Sequence, residues 1–304
     1  MATTAAATLP QTDRVARAFS GAWTRWLTDG SVTDVLINGP GPIVVERFGE
    51  LHEVDSIDSV ALELLIERLL GPTGRRVDRR SPVLDVRLDD RTRCHVVVPP
   101  VAVDGPYVSL RRLAVARPLE DFGDPTVVGE LLRLVADRAS VVVFGPTGGG
   151  KTSLLAACLG VVGSDERVVV VEEAAELPVA GPHVVRLEAQ PPSVEGVGAV
   201  DVAALVRAAL RMRPDRLVVG EVRGVEAAGL IHALATGHRG SMGTVHASSA
   251  EEALWRIEQL ARSGGLLGDV GAQLHRSLDA LVGVRRGSGG RRVVSSVHRI
   301  AEAK

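Results

Sequence analysis

The chain is poor in aromatics, in cysteine and in lysine, and each shortage excludes something. Three Trp, one Tyr and four Phe make up 3% of the residues, which leaves few of the anchors that mark a protein interface. Two cysteines, Cys94 and Cys158, are too few and too distant for a disulfide framework or a four-cysteine zinc site. They read as small apolar fillers. No apolar run approaches the ~18 residues of a membrane-spanning helix: Val96 to Val103 is broken by Pro99 and Pro100, and Val141 to Phe144 is strand-sized. Met1 to Pro10 (MATTAAATLP) lacks the positive start and long apolar stretch of a signal peptide, so a cytosolic protein with a frayed N-terminus is expected. A charge excess is also missing. The net charge is −2, with 15 basic against 16 acidic residues up to Glu120 and 20 against 21 beyond it. A broad basic field is therefore absent and no nucleic-acid partner is expected, although a narrow channel of arginines could hide within that balance.

What is present is core-forming material. The 304 residues are 45% hydrophobic and 24% charged, with a mean hydropathy of +0.17. That composition is globular, and the length suggests two domains.

Of 35 basic residues only Lys151 and Lys304 are lysine. Lys151 is thus the one internal place where a compact ammonium on a flexible stem is used instead of a guanidinium. It lies in Ser140 to Ser153, SVVVFGPTGGGKTS, a β-branched run, a glycine-rich turn and a helical start that together form a complete P-loop. Gly145, Pro146, Thr147, Gly148, Gly149 and Gly150 would form the cradle, its residues other than Pro146 directing backbone N–H groups at phosphate oxygens, with Ser153 in the first turn of the helix that follows. Lys151 would reach the β- and γ-phosphates, and the Thr152 hydroxyl would ligate Mg²⁺.

Three strand ends supply the rest of a site. Arg167 to Val171 (RVVVV) reads as a buried parallel strand delivering Glu172, Glu173 and Glu176 at its carboxyl end, where α/β sheets place ligands. Glu173 is the preferred catalytic or metal-binding acid, against the alternative of a solvated acidic loop. Arg216 to Glu221 (RLVVGE) is a second apolar run ending in a carboxylate, and Glu221 is placed to orient the attacking water. Gly220 stands where many such motifs have Asp, which weakens metal binding by this strand. The third end is Thr236 to Ser249 (TGHRGSMGTVHASS), a glycine-interrupted loop running into a strand. His246 fits a γ-phosphate sensor and His238 a nucleotide contact, each against the alternative of a core or capping histidine. Zinc is not expected from their spacing. Ser249 with Glu252 forms a capping box. The helix expected over Asp201 to Met212 carries Arg207 and Arg211 on one face, either facing an anion or simply solvated.

Taken in order, GPTGGGKTS, VEEAAELPV, HVVRLE, LVRAALRMRPDRLVVGEVRG and TGHRGSMGTVHASS resemble the type II/type IV secretion ATPase superfamily, specifically its Tad or Flp pilus assembly branch. In the first half, Val32 to Glu46, Ser81 to Pro100 and Val108 to Leu113 resemble that branch's N-terminal domain. By this resemblance Glu172 to Glu176 fall in an Asp box, Gly220-Glu221 in an atypical Walker B motif and His238 to His246 in a His box. It implies an ATP- and Mg²⁺-dependent hexameric ring, cytoplasmic and peripheral at the inner face of the membrane, working on a polytopic membrane platform protein. It also implies arginines approaching the nucleotide across boundaries: Arg87, Arg93, Arg111 and Arg112 from the N-terminal domain, and Arg207 or Arg211 near the ring contact. The four-cysteine zinc insertion of type II relatives is absent.

The expected fold is α/β: a RecA-like P-loop NTPase domain with a mainly parallel sheet over 127–304, preceded by a smaller α+β domain over 1–113 and joined by a weakly anchored linker over 114–126. The first domain should hold a helix near Arg14 to Leu27, strands around Val35 and Val44, a helix from Ile57 to Leu70, and strands near Leu84, Val96 and Val108. Leu281 to Arg285 and Arg292 to Val297, flanking Gly287 to Gly290, read as a hairpin at the sheet edge. The function expected is ATP hydrolysis driving pilus assembly, secretion or conjugation-related transport. The alternatives are a nucleic-acid translocase on the same core, or a nucleotide-dependent switch with little turnover.

Overall fold

A computed structural model of the chain describes residue 26 and residues 29–89, 92–112, 116–190, 197–287 and 290–300. The helix expected near Arg14 to Leu27 lies, apart from Trp26, outside the described residues. The chain forms two compact units, Met1–Ala114 and Val115–Lys304.

In the first unit, strands β1 (Val32–Asn38), β2 (Gly41–Arg47), β3 (Glu50–Ile57), β4 (Val83–Arg87), β5 (Thr92–Val97) and β6 (Tyr107–Arg112) build one six-stranded sheet in the order β3-β2-β1-β6-β5-β4. Every neighbour in it is antiparallel. Alternation sets the faces. Thr92, Cys94 and Val96 of β5 are buried while Arg93, His95 and Val97 are only half-buried. Helix α1 (Ser59–Leu70), N-capped by Asp58, buries Leu62, Leu65, Ile66, Leu69 and Leu70, and these share one core with Val35, Ile37, Val96 and Leu110 of the sheet. The expected helix start at Ile57 is two residues early. β3, rich in charge and exposed along its first half, carries no periodicity that would have announced it.

The second unit holds a seven-stranded sheet in the order β13-β12-β7-β11-β10-β8-β9. Its strands are β7 (Val141–Gly145), β8 (Val168–Glu172), β9 (Val184–Glu188), β10 (Arg216–Val219), β11 (Met242–His246), β12 (Ala280–Arg286) and β13 (Arg292–Arg299). All pairs are parallel except β12–β13, so the hairpin closes the sheet with one antiparallel edge strand. Its turn residues 288 and 289 are outside the described set. Helices α2 (Pro125–Ala136) and α3 (Lys151–Leu159) pack on one face. Helices α4 (Val202–Ala209), α5 (Glu226–Ala235), α6 (Ala250–Ser263) and α7 (Val270–Ser277) cover the other. β7, β8 and β10 are buried at every residue, as strands covered on both sides must be.

Three expectations are corrected. The linker is not weakly anchored throughout: Leu119 and Phe122 of a short 3₁₀ turn are buried in the second core, and Asp124 caps α2 through the amides of Thr126 and Val127. Pro and Gly punctuate the segment, yet two apolar side chains suffice to fasten it from Leu119 onward. The helix expected to reach Met212 ends at Ala209, so Arg211 sits in the turn beyond. The Ser249 cap is present, accepting from the Glu252 amide, but the Glu252 carboxylate turns to the amide and hydroxyl of Ser248 instead of Ser249.

Candidate active site

β7 runs through the middle of the sheet and releases the chain at its carboxyl edge, where the P-loop begins. Gly145 there has φ +157°, and a Cβ would stand 2.2 Å from the Val284 carbonyl oxygen of β12. Only glycine fits. Gly150, at φ +106°, precedes the first residue of α3, and no side chain caps that helix. The N–H groups of its first turn are therefore left for an anion, with the positive end of the helix behind them. Lys151 is buried, with 8% of its surface exposed, and its ammonium donates to the carbonyls of Gly145 at 3.1 Å and Pro146 at 3.2 Å. Burial pushes its pKa down, while nearby Glu221 opposes that shift and Arg223 adds to it. An ammonium held by its own loop's carbonyls needs little rearrangement to reach phosphate. Thr152 follows in the same turn, half-buried.

The carboxyl ends of the neighbouring strands bring the expected acids to this edge. Glu221 lies just beyond β10 and Glu173 just beyond β8, and one guanidinium joins them. Arg223 donates to Glu221 at 2.6 Å and to Glu173 at 3.2 Å. Sequence reasoning passed over Arg223, although its position two residues after Glu221 was a signal. Glu172 has a different task. It is 4% exposed and accepts 2.9 Å bonds from the amides of Glu176 and Leu177, which closes the acidic loop on itself. Burial raises its pKa against those two bonds. Its second oxygen is buried without a hydrogen-bond partner, 3.9 Å from Arg186. Gly220 is explained by the same side chain: a Cβ there would stand 2.7 Å from Glu172 Cγ. The missing Asp of this strand is thus a matter of space.

His246, at the end of β11, pairs in register with Gly145, and its Nδ1 lies 3.4 Å from the Thr147 hydroxyl. His238 is elsewhere. It precedes β11, at the amino edge of the sheet, with Nδ1 3.3 Å from the Ala233 carbonyl at the end of α5. Arg207 and Arg211 are exposed, on α4 and after it. In the first unit, Arg87, Arg93 and Arg111 face one another across β4, β5 and β6 in a single row that continues to Asp34 of β1. Arg93 is held by Asp85 at 2.7 Å and Arg111 by Asp34 at 3.2 Å. Arg112 points to the other side of the sheet and donates to the Asp29 carbonyl.

Two further arginines went unread. Arg286 and Arg292, paired across the hairpin, reach the P-loop: Arg286 Nε donates to the Gly148 carbonyl at 3.0 Å and Arg292 to the Ser153 hydroxyl at 3.0 Å. The basic pairs flanking the glycine turn were visible in the sequence. That β12 lies beside β7 was not.

The glycine cradle fits a polyphosphate. Among the described residues no group of three or more His, Cys, Asp and Glu is arranged to hold a metal. A magnesium ion would depend on the Thr152 hydroxyl, phosphate oxygens and water.

Fold and site together define the class: a RecA-like P-loop nucleotide-binding domain with a smaller domain before it. Residues 20–286 match the model of the type II/IV secretion system protein family, and the chain belongs to that family. Similar proteins include one of Mycobacterium tuberculosis described as "Putative conjugal transfer protein", 41% identical over 91% of this chain and 83% of its own. Another is conjugal transfer protein TrbB of Rhizobium radiobacter, 30% identical over 90% and 85%. Among solved structures, the VirB11 ATPase of the Brucella suis type IV secretion system is 26% identical, with a TM-score of 0.51 over 95% of this chain and 94% of its own. The Legionella pneumophila ATPase DotB, at 21% identity and TM-score 0.66 over 91% and 80%, shares the fold.

Proposed function

We propose that this chain is an ATPase subunit of a hexameric motor, of the Tad or Flp pilus assembly type, that works at the inner face of the cytoplasmic membrane on a polytopic membrane protein. The observation that carries the hydrolytic reading is the Lys151 cradle flanked by Glu221 and Glu173 on the neighbouring strand ends. The loop amides and Lys151 bind the polyphosphate. Mg²⁺, when bound through Thr152, supplies charge neutralisation at the phosphates. Glu221 orients the attacking water, with Glu173 held beside it by Arg223, and His246 with Thr147 reports on the terminal phosphate.

The Arg87, Arg93 and Arg111 row supports the expected approach of arginines from the first domain. Two of the three, Arg93 and Arg111, are held by Asp85 and Asp34, and would exchange those carboxylates for phosphate. Such a guanidinium contributes a factor of about 10³–10⁵ in turnover in related phosphoryl-transfer sites. The names of the similar proteins support transport in a conjugation or secretion apparatus. The reading is tested by phosphate release from the purified chain and from Lys151→Ala and Glu221→Gln, with gel filtration in ATP. Turnover in the natural chain, loss of nucleotide binding in the first variant, binding without turnover in the second and an ATP-dependent ring are expected. Equal turnover in all three, or an active monomer, contradicts it.

A further inference from the structure

The carboxylates all lie on one flank of the P-loop. Glu221, Glu173 and His246 follow β10, β8 and β11, which stand in the sheet on the same side of β7. The terminal phosphoryl group, where water attacks, belongs on that side. The other flank is β12 with its partner β13, and the side chains it sends to the loop are the cations Arg286 and Arg292. Arg292 crosses beneath the loop so closely that a Cβ on Gly150 would stand 2.7 Å from its Cδ. Its guanidinium ends on Ser153, the third residue of α3. Among the described residues no carboxylate is within ion-pair distance of Arg292 or Arg286, and the charges acting on Arg292 are those of Arg117 and Arg286. Half-buried and beside two like charges, Arg292 has its pKa depressed, chiefly by desolvation. Cations gathered at a helix start beside a phosphate cradle need an anion to offset their repulsion.

The neighbouring hairpin residues border a cavity that neither Arg286 nor Arg292 lines. Asp121, 3.9 Å from Arg117, lines this cavity of about 670 Å³ with Asp124, Arg285, Arg291 and Val293, within the ordinary size range for small-molecule sites.

Resting on the ATPase reading, we propose that the terminal hairpin is the α-phosphate wall of the nucleotide site: Arg292 exchanges the Ser153 hydroxyl for the α-phosphate, while Arg286 fixes the Gly148 carbonyl and with it the shape of the loop. The α-phosphate is common to ATP and ADP. Arg292 therefore contributes to the binding of substrate and product alike, unlike a guanidinium that acts on the transferred group.

The test is calorimetric titration of the full chain, Arg292→Ala and Arg292→Lys with ADP and with a non-hydrolysable ATP analogue, alongside steady-state hydrolysis. Arg292→Ala should weaken both nucleotides by the same factor, about tenfold to a hundredfold, and raise KM. Arg292→Lys should recover part of the loss. Where the alanine variant fails to melt cooperatively, Arg292→Gln takes its place. Unchanged affinities, a loss for the ATP analogue alone, or a loss confined to kcat overturns the proposal. Failure of the natural chain to bind either nucleotide overturns the ATPase reading itself.

Discussion

Strand β10 carries an arginine near each of its ends, and the two guanidiniums live under opposite conditions. Arg216 opens the strand with a side chain 1% exposed. It takes Glu166 in two 2.8 Å bonds and gives its remaining donors to the carbonyls of Val135 at 2.9 Å and Gly240 at 3.4 Å. Arg223 follows the strand, 65% exposed, and bridges Glu221 and Glu173. The first guanidinium is desolvated and cannot let go of Glu166 without stranding its own buried charge. The second is bathed in solvent, so its rearrangement costs little. The amino edge of the sheet is thus locked, and the carboxyl edge is free to exchange partners when nucleotide enters. Even a glycine of the expected His box belongs to the lock: a Cβ on Gly240 would stand 2.8 Å from the Arg216 guanidinium.

That contrast can be broken by substitution. Arg216→Ala should be the most damaging change, lowering unfolding free energy by about 3–5 kcal/mol in urea titrations, because it empties the space of a fully buried side chain and leaves Glu166 only the more exposed Arg138 at 3.2 Å. Replacing both partners, Arg216→Met with Glu166→Leu, should recover most of it. Glu221→Gln should leave the melting temperature in place while reducing kcat by about 10²–10⁴, a comparison of calorimetry with phosphate release. A melting temperature that falls with turnover would move Glu221 to the structural side. Arg223→Ala should reduce kcat by about tenfold without a resolvable change in melting temperature. Arg223→Lys should restore little, since one ammonium does not span two carboxylates as a planar fork does.

The smallest effect tests the exception on the catalytic edge, Glu172. Burial raises its pKa, so its contribution to stability is fullest below the pKa of an unfolded Glu and fades as pH rises through the folded value. Glu172→Gln keeps an acceptor for the Glu176 and Leu177 amides and removes that charge. Melting from pH 5 to pH 8 should show the variant gaining on the natural chain as pH rises. A gap independent of pH contradicts a titrating Glu172.

Lys151, Glu221, Glu173 and His246 could be placed from sequence because each follows a β-branched run, and a parallel strand delivers its last residues to one edge whatever its neighbours are. The same logic misplaced His238, which precedes its strand. It could not see Glu172 folding back to occupy the space of an Asp at 220, nor Arg223 turning toward Glu173, 50 positions away. Alternation located most strands of the first sheet, but β3, with Glu50, His52, Glu53 and Asp55 among its eight residues, forms through pairing with β2.

By itself, then, the order of residues determined the phosphate cradle, the hydrophobic strands on either side of it and the division into two units, since these rest on local backbone freedom and on the period of apolar side chains. Which strands became neighbours was decided only in three dimensions, where burial of both sheet faces chose the order. That choice set β12 against β7 and carried Arg286 and Arg292, about 140 residues downstream of the loop, to its edge.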